Sequence, residues 1–248
     1  MRPELSVVVP CYNEAGNLEP LVERFRALSG RAAFELILVD NGSQDATPEI
    51  LAALLRSPGN SFLRVLRVEI NRGYGDGLRR GLESALAPIV AFTHADLQCP
   101  PDDIWTARDI YLRETPSGPC LVMGRREGPR GALERFVSWG FSRLSAWRLG
   151  LSSAEAGPGS PRRAPDINAQ PKLFGRDLIG RLSAGPLDFT FDLFVLHAAR
   201  VEGLRIVEFP VRYLPRERGE SKLAAGLRAR LRNAAAALRL MASLRVRS

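Results

Sequence analysis

Lysine is nearly missing from this chain of 248 residues: Lys172 and Lys222 are its only two, and arginine supplies the rest of its 35 basic side chains. A compact ammonium and a planar guanidinium are different donors, so each lysine is a candidate for a place that needs a point charge; an arginine-biased composition is the alternative. Cysteine is also scarce. Cys11, Cys99 and Cys120 are odd in number and lack metal-ligand spacing, which excludes a disulfide framework and a zinc site and fits reduced thiols. No run approaches the roughly 18 apolar residues of a membrane-crossing helix. The opening Met1-Arg-Pro-Glu has no apolar signal segment, so a cytoplasmic location is expected.

Acidic residues are absent from the C-terminal stretch. Between Lys222 and Ser248 there are seven cations, Lys222, Arg228, Arg230, Arg232, Arg239, Arg245 and Arg247, and no acid. Without them the chain carries 28 basic against 27 acidic residues, so this tail accounts for nearly all of the net charge of +8. Such asymmetry points to an anionic partner for the tail, lipid surface or nucleic acid. The aromatic interleaving of a single-strand nucleic-acid platform is lacking, so nucleic acid is not expected. A 45% hydrophobic content is ample for a core, and one main domain is expected.

What is present is an alternation of apolar runs with helical periodicity. Leu5 to Val9 is a buried strand ending at Pro10-Cys-Tyr-Asn-Glu14. Asn17 can cap a helix whose apolar face runs through Leu18, Leu21, Val22, Phe25 and Leu28. Phe34 to Val39 is a second strand; Thr47 and Pro48 then open a helix with Ile50, Leu51, Leu54 and Leu55 inward. Leu63 to Val68 is a third strand, Asn71 to Gly77 a glycine-rich turn, Leu78 to Leu86 a helix and Ile89 to Phe92 a fourth strand. This order implies right-handed crossovers and an α/β architecture: a mostly parallel sheet with helices on both faces.

Each loop at one edge of that sheet is polar. Tyr12 with Glu14, Asp40 with Asn41, and His94 with Asp96 converge where open α/β sheets bind ligands. In extended backbone, residues two apart face the same way, so His94, Asp96 and Gln98 can address one ligand, and their donors suit a hard divalent ion completed by phosphate oxygens. An aromatic for a base, acids for ribose hydroxyls and a metal for a diphosphate make a nucleotide site. No G-x-G-x-x-G follows the first strand and no G-x-x-x-x-G-K-[ST] occurs, which lowers the standing of a dinucleotide oxidoreductase and a P-loop enzyme.

The succession Val7-Val-Val-Pro-Cys-Tyr-Asn-Glu14, Val39-Asp-Asn-Gly-Ser-Gln-Asp45, Asn71-Arg-Gly73 and Ala95-Asp-Leu-Gln98 resembles glycosyltransferase family 2, within it the polyprenyl-phosphate (dolichyl-phosphate) mannosyl and glucosyl transferases. Asp166-Ile-Asn-Ala-Gln-Pro-Lys-Leu-Phe174 and Arg216-Glu-Arg-Gly-Glu-Ser-Lys222 look like the second half of the same family, so the likeness runs from residue 5 to about 222. The resemblance implies a GT-A fold and inverting transfer of a hexose from a GDP- or UDP-linked nucleotide sugar to a polyprenyl phosphate, assisted by Mg or Mn. It implies that Pro10, Tyr12, Glu14, Val39 and Asn41 hold the nucleoside, with His94, Ala95 and Asp96 near ribose and diphosphate. Asp96 and Gln98 would be the metal ligands, and Arg126, Arg216 and Lys222 would join Asp96 in the catalytic set by facing phosphates.

Two positions depart from the family pattern: His94 stands where Asp is usual and Asn41 where a second Asp is common. Two lost carboxylates reduce negative charge beside the diphosphate, while a neutral imidazole still bonds a hydroxyl. Acceptor chemistry separates the alternatives. A hydroxyl acceptor must lose a proton and needs a carboxylate base, whereas a phosphate monoester attacks unaided. No Gln-x-x-Arg-Trp motif is present; Asp192, opening a helix with Leu193, Leu196 and Ala199, is the candidate base for a hydroxyl acceptor, or simply a first-turn acid. The cationic set favours the phosphate. A non-catalytic nucleotide-sugar binding protein is the reading from another class, suggested by His94 and Asn41.

Two stretches suit a membrane surface. Ala132 to Leu149 carries Leu133, Phe136, Val137, Phe141 and Leu144 with Trp139 and Trp147 among Arg135, Arg143 and Arg148. The tail has a stripe of Leu223, Leu227, Leu231, Ala234, Leu238 and Met241 beside arginines. Apolar stripes with arginine flanks lie in the headgroup region, which implies a peripheral enzyme at the inner face of an anionic membrane. Packing on the sheet or on another subunit is the alternative. Ser152 to Pro165, rich in Gly, Pro and Ser, is expected to be a mobile loop. Residues 1-221 are therefore expected to form the transferase domain and 222-248 a basic amphipathic helix.

Overall fold

The computed structural model describes residues 2–128, 131–157, 159–215 and 226–244. The first half is the alternation expected, β1 (Leu5–Cys11), α1 (Ala15–Ala27), β2 (Phe34–Asn41), α2 (Thr47–Arg56), β3 (Leu63–Val68), α3 (Tyr74–Glu83) and β4 (Ile89–Phe92), and it continues into a helix not expected from the sequence, α4 (Asp102–Glu114). Then come β5 (Cys120–Glu127), α5 (Ala132–Leu149), β6 (Ser153–Glu155), β7 (Lys172–Gly175), α6 (Ile179–Leu182), α7 (Phe191–Val201), β8 (Arg205–Arg212) and α8 (Gly226–Ser243). One eight-stranded sheet has the order β3-β2-β1-β4-β7-β5-β8-β6. All pairings are parallel except those of β7, which runs against β4 on one side and β5 on the other.

Two cores follow from the period-2 alternation of the strands. Val7 and Val9 of β1 with Leu36 and Leu38 of β2 face α1, α2 and α4 through Leu18, Phe25, Leu51 and Trp105. Val8, Ile37 and Val39 face the opposite layer, through Leu78 and Leu82 of α3 and Phe191, Val195 and Leu196 of α7. The inner strands are buried on both faces, hence their unbroken apolar runs.

Local boundaries differ where turn chemistry is subtle. Asn17 does not cap α1: Glu14 holds the N-cap position, and Asn17 lies buried in the first turn, donating from Nδ2 to Glu14 Oε2 at 2.7 Å. Leu55 of α2 is exposed rather than inward. The third helix starts at Tyr74, four residues before Leu78, so most of the glycine-rich turn is helix. Gly73, at φ +128°, makes the start feasible: a Cβ there would sit 2.3 Å from the Leu187 carbonyl oxygen, and that same oxygen accepts from Asp76 N–H at 3.1 Å.

Ser152 to Pro165 is not simply a loop. It contains β6, which pairs with β8, and Ser153 and Arg163 exchange backbone hydrogen bonds of 2.9 Å. The buried carboxylate of Glu208 fastens the segment from beneath. It accepts from Ser153 Oγ at 2.9 Å, from Arg163 Nε at 3.2 Å and from Asp166 N–H at 2.8 Å.

Of the tail stripe, Met241 packs inward against Ser145 of α5, whereas Ala234 and Leu238 are exposed; the buried face instead continues through Ala237. Leu223 falls outside the described residues. Among the described residues, no helix is long and apolar enough to cross a membrane.

Candidate active site

The C-terminal ends of the parallel strands form one rim. Pro10 pairs in register with Val39 and Cys11 with Asp40, so Tyr12 and Asn41 leave neighbouring strands side by side. On the other flank of β1, Val8 pairs with Phe92, and Thr93 N–H donates to the Val8 carbonyl at 3.1 Å, carrying the His94–Gln98 segment to the same edge. Because β7 is reversed, it delivers its first residue there too: Lys172 lies between Phe92 and Met123.

Hydrogen bonds lock the β1 and β2 loops together. Asn13 adopts a left-handed φ of +51°; its N–H donates to Ser43 Oγ at 3.0 Å, and its Oδ1 accepts from Gln44 N–H at 2.8 Å. Glu14 N–H donates to Thr47 Oγ1 at 2.9 Å. Asp40 is turned into structure, accepting from Ser43 N–H at 3.0 Å and pairing with Arg67 at 2.9 Å. Asn41 is buried, its Nδ2 donating to the Gly73 carbonyl at 2.8 Å while its Oδ1 has no hydrogen-bond partner among the described residues. Such an orphan acceptor is uncommon in a folded interior and marks a place where a ligand donor fits.

On the β4 side, Ala95 and Asp96 are buried. Asp96 Oδ1 accepts from Gln98 N–H at 3.2 Å, with Leu97 between them at φ +58°. Gln98 is tied to the end of β8: Tyr213 O–H donates to its Oε1 at 3.0 Å, its Nε2 donates to the Leu214 carbonyl at 3.2 Å, and its own carbonyl accepts Leu214 N–H at 2.8 Å. An amide oxygen has two lone pairs, so ligation by Gln98 does not require loss of the Tyr213 bond. Burial, then the charge of Asp96, pushes the Cys99 thiol up to about 12, which keeps it a neutral space-filler.

No group of three or more His, Cys, Asp or Glu forms a preassembled metal cage among the described residues. The donors fit a different mode, in which one buried carboxylate and an amide oxygen are completed by phosphate oxygens of a bound nucleotide.

The second half of the chain supplies two further devices. Arg126 of β5 lays a fork on Asp166, Nε to Oδ2 at 3.0 Å and a terminal nitrogen to Oδ1 at 2.6 Å, while its backbone N–H donates to Oδ2 at 3.2 Å. Its guanidinium also lies 5.5 Å from the centroid of the Tyr213 ring. Arg216 and Lys222 lie outside the described residues.

The other device centres on Asp192. Its Oδ1 receives the fully buried ammonium of Lys172 and the Gln170 Nε2 at 2.9 Å; Lys172 also donates to the Ala169 carbonyl at 3.0 Å and lies 5.4 Å from the Phe92 ring centroid. Burial lowers the Lys172 pKa, and the Asp192 charge opposes that shift. The point charge suggested by the scarcity of lysine is therefore found at Lys172.

Tyr74, Gln170, Asp166 and Tyr213 also reach this rim, and sequence pattern alone does not single them out. Gln170 and Asp166 lie in the Asp166–Phe174 segment, which carries the family likeness without naming a role for either, and Tyr74 sits among glycines that read as a turn. Tyr74 O–H contacts His94 Nε2 at 3.1 Å, with the two rings edge to face at 5.6 Å.

Residues 6–139 match the family described as Glycosyl transferase family 2. A protein of Sodalis glossinidius named undecaprenyl-phosphate 4-deoxy-4-formamido-L-arabinose transferase is 36% identical over 88% of this chain; one of the same name from Edwardsiella ictaluri is 30% identical over 88%. The chain spans 62% of the length of each. Among solved structures, glucosyl-3-phosphoglycerate synthase from Mycobacterium tuberculosis with Mg2+ and uridine diphosphate superposes with TM-score 0.67 at 19% identity, covering 98% of this chain and 80% of that one. The mannosyltransferase PcManGT from Pyrobaculum calidifontis with GDP-Man and Mn2+ gives 0.59 at 20% identity, covering 99% and 76%. These likenesses identify the fold as GT-A.

Proposed function

The chain belongs to glycosyltransferase family 2, and from that premise we propose that it transfers a hexose, with inversion, from a GDP- or UDP-linked nucleotide sugar to a polyprenyl phosphate at a membrane surface. The observation that carries the choice of acceptor is the state of Asp192. A hydroxyl acceptor needs a carboxylate that takes a proton, and Asp192 is buried beneath Lys172 and Gln170. With Oδ1 engaged by both of those donors, Asp192 is held as an anchor within the fold, which suits an acceptor that needs no proton removed. The names of the 36% and 30% identical relatives support the same acceptor class.

In this reading Pro10, Tyr12, Glu14, Val39 and Asn41 line the nucleoside side, and Asn41 Oδ1 meets a ligand donor. His94, Ala95 and Asp96 stand beside ribose and diphosphate. Asp96 and Gln98 would hold Mg or Mn, which when bound neutralises charge building on the departing diphosphate. Arg126, positioned by Asp166, together with Arg216 and Lys222, faces phosphate oxygens. The acceptor phosphate attacks the anomeric carbon from the side opposite the diphosphate.

The exposed face of α5 supports a lipid surface as the meeting place. Phe136, Val137, Trp139, Leu144 and Trp147 are all exposed, Trp147 at 80%, and Arg143 lies 5.2 Å from the Trp139 ring centroid. The inward face of α5 uses Ser142, Ser145 and Leu149 instead, which leaves the aromatics for an external apolar phase. Residues 1-221 act as the transferase domain, and the basic segment 222-248 adds attraction to anionic lipid.

The test is a donor screen with purified protein, short-chain polyprenyl phosphate and Mg or Mn, following release of nucleoside diphosphate, with a panel of hydroxyl acceptors alongside. Turnover restricted to the lipid phosphate is expected. Turnover on hydroxyl acceptors abolished by Asp192→Ala would make Asp192 a base and overturn the acceptor assignment. Donor binding with no turnover on any acceptor would leave a binding protein.

A further inference from the structure

A buried carboxylate is a costly group to keep, and the donors around Glu208 show what it holds. The side chain has no exposed surface and stands on β8 opposite Met123 of β5 and Glu155 of β6. Its two oxygens serve different partners. Oε2 accepts from Ser153 Oγ at 2.9 Å and Arg163 Nε at 3.2 Å, whereas Oε1 accepts from the backbone N–H of Asp166 at 2.8 Å. The Arg163 and Asp166 groups can only donate, so both oxygens must accept and Glu208 is held ionised.

Each side leads to a different part of the molecule. On the Oε2 side, Ser153 and Arg163 are the two residues that exchange backbone hydrogen bonds and close the segment between them. On the Oε1 side, Asp166 carries the carboxylate that forks Arg126, and it takes the Arg126 backbone N–H as well. A fork is made of two parallel bonds of fixed geometry, so fixing the Asp166 backbone fixes the aim of Arg126. With only 9% of its side chain exposed, Arg126 has little room to be re-aimed by itself.

We propose that Glu208 is a positioning residue for Arg126: one carboxylate ties the Ser153–Arg163 closure to the Asp166 backbone, and through the Asp166 fork it sets where the guanidinium meets phosphate. The contact of Arg126 with phosphate rests on the transfer reading above; the coupling of Glu208 to Arg126 does not. Arg163, whose side chain is 36% exposed, thereby bears on the geometry of Arg126 through Glu208 and Asp166.

The isostere Glu208→Gln separates the two sides at nearly constant volume. An amide has one accepting and one donating end, so either orientation sets a donor against the Asp166 N–H or against the Arg163 guanidinium. The coupling is read first on the full chain with no ligand. Nitrogen-15 arginine spectra of wild type and Arg126→Lys assign the Arg126 Nε–H, which the fork shields from exchange with water. Glu208→Gln is expected to speed that exchange by about tenfold, and Arg163→Gln, which removes one partly exposed donor, by about threefold.

The role is then read in kcat/KM with polyprenyl phosphate and nucleotide sugar. In the wild-type background Glu208→Gln is expected to lower it by about ten- to a hundredfold, the cost of misplacing a positioned group. In the Arg126→Lys background, where the fork is already lost, the same change is expected to cost less than about twofold.

Unchanged Arg126 Nε–H exchange in Glu208→Gln overturns the proposal whatever the kinetics. Equal losses of kcat/KM in both backgrounds also overturn it, because a carboxylate that merely supports the fold would act without regard to Arg126. Faster exchange in a chain that turns over no nucleotide sugar with any acceptor overturns the transfer reading and the phosphate role, and leaves the coupling standing. If Glu208→Gln does not fold, Arg163→Gln decides: exchange at the wild-type rate overturns the coupling.

Discussion

Lys172 and Asp192 form an ion pair whose ammonium has no exposed surface, at the junction of a reversed strand and the first turn of a helix. Removing one member of a buried pair strands the other's charge, which costs about 3–5 kcal/mol. Lys172→Met is accordingly expected to lower the unfolding free energy by about that amount, and Lys172→Met with Asp192→Leu to recover much of the loss. Urea unfolding of the wild type, both single variants and the double variant measures the coupling directly.

A second prediction concerns acid. Asp103 lies in the first turn of α4, where a helix N-terminus favours an anion, yet burial, then the charge of Asp102, raises its carboxyl to about 6 from an ordinary 3.8. Its Oδ2 is buried with no hydrogen-bond partner among the described residues. A folded carboxyl that holds its proton more tightly than the unfolded one contributes stability below its unfolded pKa, and this is lost as pH rises through the folded value. The urea midpoint is therefore expected to carry a contribution that falls between about pH 4 and pH 6, and Asp103→Asn to remove that contribution.

The α5 face separates docking from folding. Trp147 is 80% exposed and Phe136 68%, so Phe136→Ser with Trp147→Ser is expected to change stability by no more than about 0.5 kcal/mol per site. Sedimentation with phosphatidylglycerol vesicles is expected to fall sharply for the same variant. Unchanged vesicle binding would remove this face from the membrane contact.

Gly81 carries a prediction of opposite sign to the usual helix rule. Alanine in place of a mid-helix glycine ordinarily adds about 0.5–1 kcal/mol of stability, and Gly140→Ala in α5, with open space around it, is expected to do so. A Cβ on Gly81 would meet Val8 Cγ1 at 2.4 Å and Val39 Cγ2 at 2.8 Å. Gly81→Ala is thus expected to cost about 1–3 kcal/mol by overpacking α3 on the sheet, read as a lowered melting temperature.

The first four strands were legible because buried parallel strands are unbroken apolar runs between polar edges, as Leu5 to Val9 and Phe34 to Val39 are. Family motifs carried the fold beyond that point. Periodicity could not supply the four-residue β7 or its direction, since that depends on distant neighbours, β4 pairing Phe92 with Lys172 and β5 pairing Met123 with it. The rim was legible as chemistry at Asp96 and His94. Tyr74 was not: glycines at 73, 75 and 77 suggest a turn, and only the carbonyl of Leu187, supplied from a distant loop, makes them the start of a helix. The Asp166 partner of Arg126 was likewise invisible, because an ion pair 40 residues apart in sequence leaves no local pattern.

The reversed strand has a mechanical meaning as well. β3-β2-β1-β4 and β5-β8-β6 touch within the sheet only through the four residues of β7, so this short segment is the rivet between the two parts of the sheet. A slip of one residue there would turn Lys172 to the opposite layer and shift one half against the other in a single movement. Alignment of the two parts of the sheet is thereby entrusted to a seam four residues long.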